Sequence, residues 1–115
     1  MALASPPIAD AAQAQALTLL EHVALIDGHN DMPYVLRLDA AAKGDVAAYD
    51  LGRVHPETDT DIPRMRAGRL AGQFFAAYVP PNHPKPAGFA LAQIALMRRF
   101  CKRHADVFRP GLSAD

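Results

Sequence analysis

Val23-Ala24-Leu25-Ile26-Asp27-Gly28-His29-Asn30-Asp31-Met32-Pro33 opens on four apolar residues and closes on a cluster of polar groups. A short apolar run stopped by Asp27-Gly28 is the pattern of a strand buried on both faces of a parallel sheet. It predicts a strand over approximately Val23 to Gly28, with His29 and Asp31 immediately beyond its end. Side chains two apart on extended backbone point the same way, so an imidazole and a carboxylate converge on one point. Imidazole nitrogen and carboxylate oxygen are both ordinary ligands of a zinc-type cation. Gly28 is expected to let the backbone turn without a clash, and Pro33 to end the extended run. Taken alone, His-x-Asp is more often a helix-capping Asp31 beside a surface His29 than a metal site. The pair is also incomplete, because a catalytic zinc normally takes three protein ligands and a water.

Working outward, residues Ala9 to His22 form an alanine- and leucine-rich run with good helix propensity. Asp10 is placed to cap it, and Pro6 and Pro7 precede it as breakers. Downstream, Pro33 to Thr60 reads as irregular, punctuated by Gly44, Gly52 and Pro56. A short helix follows, capped by Thr60 or Asp61, with Pro63 in its first turn and Gly68 at its end. Leu70 to Val79, with Phe74, Phe75 and Tyr78, is a second strand that stops at Pro80-Pro81. Phe89 to His104 is an amphipathic helix. Phe89, Ala92, Leu96 and Phe100 line its apolar face, widened by Ile94, Met97 and Cys101, and Arg99 and Arg103 face solvent. That face is expected to pack on the two strands.

Helix, strand, short helix, strand, helix is an alternating α/β order, so the strands should be parallel. A two-stranded parallel sheet leaves open edges and a half-covered apolar face. A (β/α)₈ barrel takes about 250 residues, so two strand–helix steps amount to its first quarter to third. The element order gives the fold class as α/β, and two such steps are the size of the N-terminal part of a TIM-type barrel. Residues 1–22 are an N-terminal helix region and residues 23–115 the first two strand–helix units.

Composition narrows the function classes. Half of the 115 residues are apolar, which excludes disorder along the whole length. Acidic and basic residues balance at 12 each without a one-signed block, against a nucleic-acid binder. The basic end of the last helix complements the helix dipole and stays in solvent. The single cysteine, Cys101, can form neither an internal disulfide nor a cysteine-based zinc site. It reads as a small buried apolar side chain in a chain suited to a reducing compartment. The N-terminus lacks the basic start and apolar core of a signal peptide, and no run approaches the roughly 20 apolar residues of a membrane helix. A cytoplasmic location without a transmembrane segment is expected.

Three blocks carry a family resemblance. Leu25-Ile26-Asp27-Gly28-His29-Asn30-Asp31-Met32-Pro33 resembles the opening signature of the membrane (renal) dipeptidase family, usually close to IDGHNDLPW. Thr60-Asp61-Ile62-Pro63-Arg64-Met65-Arg66-Ala67-Gly68 is similar to that family's TDIPRLRAGG, and Gln73-Phe74-Phe75-Ala76-Ala77-Tyr78-Val79-Pro80 to its QFWSVYVP. The blocks stand in the family's order and approximate spacing. Tyr34 and Phe75 stand where tryptophan is common, and Arg69 and Ala71 where glycine is usual.

The resemblance implies a (β/α)₈ barrel that hydrolyses small dipeptides, often tolerating a D-residue on the C-terminal side, with two zinc ions per complete active site. It implies His29 and Asp31 as ligands of the first zinc and Tyr34 in the substrate pocket, with a homodimer as a possible assembly. A glutamate bridging the metals and further histidines are expected beyond Asp115, so no catalytic residue is assigned within this chain. His22, His55, His83 and His104 read as structural residues. The chain alone is expected to be inactive. Two other readings compete: a non-catalytic interaction protein derived from the barrel, against which the intact His29 and Asp31 count, and another metal-dependent amidohydrolase, which typically opens on His-x-His.

Overall fold

A computed structural model describes residues 11–113. The elements run α1 (Ala11–Leu19), β1 (Leu25–Asn30), α2 (Met32–Leu38), α3 (Ile62–Ala67), β2 (Leu70–Phe75) and α4 (Pro86–Arg103). β1 and β2 form a two-stranded parallel sheet, as the alternating order of elements predicts. The expected breakers and cap of the first helix, Pro6, Pro7 and Asp10, lie outside the described residues, as does Ala9. α1 ends at Leu19, short of His22, and buries no side chain.

β1 lies two residues later than hydropathy indicates and includes His29 and Asn30. Its pairing explains the shift. Leu25 aligns with Leu70, Ile26 with Gly72, Asp27 with Gln73 and Asn30 with Phe75. Between Asp27 and Asn30, β1 advances three residues while β2 advances two, so β1 carries one extra residue there. Such a bulge bends the strand and re-aims its side chains. The expectation of burial on both faces also fails: Leu25 and Ile26 are exposed, because the described helices pack on one another and on β2 rather than over β1. Gly28 is not needed for a left-handed turn or a close approach. Its φ is not positive, and an added Cβ would meet nothing within 4 Å.

Immediately after β1 comes a helix where irregular chain was expected. Met32, Val35 and Leu36 recur at helical spacing, and Pro33 sits in the first turn of α2, where its missing N–H costs nothing. Pro33 therefore starts a helix as much as it ends a strand. Met32 and Leu36 of α2 form the core with Leu96 and Phe100 of α4 and with Tyr49, Leu51 and Ile62. α4 begins three residues before Phe89, at Pro86, and packs principally on α2 rather than on both strands. Arg37 Nε donates to the buried Gln93 Oε1 at 2.5 Å, and its guanidinium lies 5.1 Å over the Phe89 ring. The helix reaches the sheet through Phe100, 4.9 Å edge-on from Phe75. Its phase is as read at Leu96 and Phe100, which are buried, and at Arg99 and Arg103, which are exposed. Ile94, expected to widen the apolar stripe, is exposed, and Gln93 is buried instead. Cys101 packs partly buried against this core, and burial pushes its thiol above the ordinary value.

α3 follows its expected caps. Asp61 is the N-cap and accepts from the Arg64 N–H, Pro63 lies in the first turn and Gly68 is the C-cap. β2 is shorter than expected, stopping at Phe75 rather than Val79. Beyond Phe75 one further bond, from Ala76 N–H to the Asn30 carbonyl at 2.9 Å, ties the chain to the end of β1.

Candidate metal centre

His29 and Asp31 meet as their spacing predicts. The imidazole Nε2 lies 3.2 Å from Asp31 Oδ2 at the C-terminal end of β1. They open onto a cleft of about 480 Å³, walled by residues 29–32 and Val35 on one side and residues 57–60 on the other. Asp31 stands at the N-cap position of α2, yet its carboxylate makes no capping bond. The capping duty passes to Asn30, whose Oδ1 accepts from the Met32 N–H at 2.8 Å. This leaves Asp31 Oδ2 for His29, while Asp31 Oδ1 is shielded from solvent and has no hydrogen-bond partner. A shielded carboxylate oxygen without a donor is stabilised by a cation, and imidazole nitrogen beside carboxylate oxygen is a zinc-type donor set. The pair fits a metal as part of a site. Among the described residues, no group of three or more His, Cys, Asp or Glu side chains is gathered to hold one.

The opposite wall is fixed by a network that spacing did not disclose. Arg64 Nη2 donates to the carbonyls of His55 at 2.9 Å and Thr58 at 2.6 Å, and its Nε to Asp61 Oδ2 at 2.6 Å. Buried Asp61 also accepts the backbone N–H groups of His55 and Arg64, each at 2.9 Å. Burial works to raise the Asp61 carboxyl, but these N–H groups and the guanidinium outweigh it and hold the carboxyl below its ordinary value. His55 is buried and stacks 4.1 Å from the Tyr49 ring, which burial pushes to a raised phenol pKa. Its nitrogens lie 2.9 Å from Glu57 Oε1 and 2.7 Å from the Asp50 carbonyl. The bond from His55 keeps the Glu57 carboxyl below its usual range, so Glu57 is an anion at the cleft edge. The structural reading of His55 is thus given a form: it fastens the loop that faces His29 and Asp31. Asp27, below the pair, is likewise held low, first by the Gln73 side chain and then by the His29 N–H.

Tyr34 does not line the His29–Asp31 cleft. Its ring packs edge-on against Tyr78 at 4.9 Å and Phe89 at 6.4 Å. His83 lies 4.5 Å from the Phe89 ring, and His22 and His104 stand apart from the cleft lining. The residues that sequence spacing left unassigned are Asn30, Glu57, Thr60 and Gln73. Asn30 carried a signal, since an Asn two before an N–H at a helix start commonly accepts from it. Gln73 reaches the site through the parallel pairing of β1 with β2, Thr60 through its bond from Asn30 Nδ2 and Glu57 through its bond with His55.

This geometry gathers polar side chains at the C-terminal end of a strand in a parallel β/α unit, the end at which α/β barrels carry their active sites. The sequence matches the membrane dipeptidase family, peptidase family M19, over residues 13–115, and the chain belongs to that family. It is 38% identical over 110 residues to Dipeptidase ataJ of Aspergillus terreus, covering 87% of this chain and 26% of that protein. It is 35% identical over 96 residues to Dipeptidase 3 of Rattus norvegicus and likewise to Dipeptidase 3 of Mus musculus, covering 81% of this chain and 19% of each. The chain thus spans about a quarter or less of the length of these curated relatives.

Proposed function

We propose that this chain supplies the first metal-binding edge of a zinc-dependent dipeptidase barrel and that it has no dipeptidase activity alone. One observation carries the reading: His29 and Asp31 converge to 3.2 Å at the end of β1, with Asp31 Oδ1 shielded and unpartnered. Family membership and relatives named dipeptidases support the class of reaction. His29 and Asp31 would hold the metal. When bound, zinc supplies Lewis-acid polarisation of the peptide carbonyl and a water that ionises near neutral pH. The chain's own residues bind and orient. Asp31 offsets metal charge, and Glu57 and Asp59 give the cleft an acidic rim suited to a dipeptide's ammonium group. Two protein ligands do not complete a catalytic zinc site, so further ligands from the rest of a barrel are required for turnover.

The test is zinc binding and dipeptide hydrolysis by the purified 115-residue chain. Weak zinc binding lost in His29→Ala, without amine release from a dipeptide, is expected. Turnover above a chelator-treated control and abolished by His29→Ala would overturn the inactive-alone reading. Zinc binding unchanged by both His29→Ala and Asp31→Ala would remove the metal centre and favour a non-catalytic role.

A further inference from the structure

Between the two candidate ligands and the sheet lies a set of hydrogen bonds that converges on one side chain. The bulge in β1 falls between Asp27 and Asn30, on the segment that carries His29. The His29 N–H donates to Asp27 Oδ1 at 3.1 Å, and the Met32 N–H, just past Asp31, donates to Asn30 Oδ1 at 2.8 Å. Each ligand is therefore adjacent to, or itself carries, an amide fixed by a neighbouring side chain rather than by the strand ladder. Gln73 of β2 joins the two. Its Nε2 donates to Asp27 Oδ2 at 2.9 Å, and its Oε1 accepts from Asn30 Nδ2 at 3.4 Å. Asn30 Nδ2 also donates to Thr60 Oγ1 at 2.9 Å, which extends the link to the loop across the cleft.

We propose that Gln73 is the positioning residue of the metal centre, its carboxamide setting through Asp27 and Asn30 the angle at which His29 and Asp31 leave the bulged strand. The proposal rests on the metal reading above. A glutamine is suited to the place because it presents a donor to a carboxylate and an acceptor to an amide at once. Neither a carboxylate nor an apolar side chain does both. Leucine removes both bonds, and glutamate turns the bond to Asp27 into a repulsion between anions. Residues that orient metal ligands from behind typically change metal affinity about ten- to a hundredfold when altered.

The experiment measures zinc affinity by chelator competition, together with thermal unfolding, in the full chain and in His29→Ala, Gln73→Glu and the double exchange Asp27→Asn/Gln73→Glu. In the double exchange the new amide at position 27 still accepts from the His29 N–H and donates to the new carboxylate at position 73, which accepts from Asn30. Gln73→Glu is expected to weaken zinc binding about ten- to a hundredfold, and the double exchange to recover most of that loss. Parental zinc affinity in a folded Gln73→Glu overturns the proposal while the metal reading stands, provided that His29→Ala abolishes binding. Undiminished binding in His29→Ala overturns both. If Gln73→Glu does not fold, the double exchange decides: parental unfolding with zinc binding still weak overturns the proposal, and recovery of both supports it.

Discussion

Asp61 accepts three hydrogen bonds while fully buried, so its charge is satisfied by two backbone N–H groups and the Arg64 guanidinium. Removing it leaves those donors unpaired. Asp61→Ala is expected to cost about 3 kcal/mol in urea unfolding, the low end of the range for a broken buried pair because Arg64 is partly solvated. The sign of the pH dependence follows from the lowered carboxyl. A folded pKa below the ordinary 3.8 means stability fully present above that value and lost as pH falls through the lower folded one. The acid limb of a urea-midpoint titration should therefore flatten in Asp61→Asn, and an unchanged limb would count against this carboxylate. Arg69 gives a second residue-scale prediction. It holds φ +53° directly after the C-cap of α3, where the left-handed region disfavours a side chain. Arg69 offsets some of that cost through Nη1, which donates to the Leu17 carbonyl at 3.1 Å and Glu21 Oε1 at 2.9 Å. Because both bonds are exposed, Arg69→Gly is expected to gain up to about 1 kcal/mol. A measured loss would show that the tether to the α1 region outweighs the backbone strain.

At the scale of elements, α4 shows how a helix can be right in phase and differ in partner. Its apolar repeat identified Leu96 and Phe100 as inward-facing, and both are buried. The surface they meet is set by α2, which the irregular look of the segment after Pro33 concealed. Met32, Val35 and Leu36 carry the helical spacing, but seven residues give a weak periodic signal next to the glycines and prolines that follow. Leu96→Ala is expected to cost about 3 kcal/mol, because the cavity opens between two helices and Phe100. Ile94→Ala, on an exposed position of the same helix, should cost under about 1 kcal/mol. Equal losses at the two positions would show that the phase or the packing partner is misassigned.

For the whole molecule, the sheet is the open side. Leu25, Ile26 and Phe74 are exposed, and among the described residues each strand has one unpaired edge. Uncovered apolar sheet surface and free strand edges drive association. The 115-residue chain by itself is expected to scatter light increasingly with concentration, and Ile26→Lys with Phe74→Lys should suppress this. Scattering that is unaffected by both changes would place the sticky surface elsewhere. No helix among the described residues is long and apolar enough to cross a membrane.

By itself the sequence determined what depends on local chemistry. Pro63, Gly68 and a cap at Thr60 or Asp61 delimit α3 because capping is decided within a few residues, the structure choosing Asp61, and the α4 repeat sets its buried face for the same reason. The convergence of His29 and Asp31 was legible because side chains two apart on extended chain share a side. The tertiary structure alone decided where β1 ends, since a bulge exists only relative to the partner strand it is counted against. It also decided that Gln73, 43 residues from Asn30, stands behind the ligand pair, and that Arg64 holds the loop facing it. Hydropathy predicted a β1 buried on both faces, and Leu25 and Ile26 are exposed, because burial is a property of neighbouring elements and the described helices do not pack over this strand. Local geometry follows from bonded neighbours, whereas a site's walls and supports are chosen by chain segments far apart in sequence that the fold brings together.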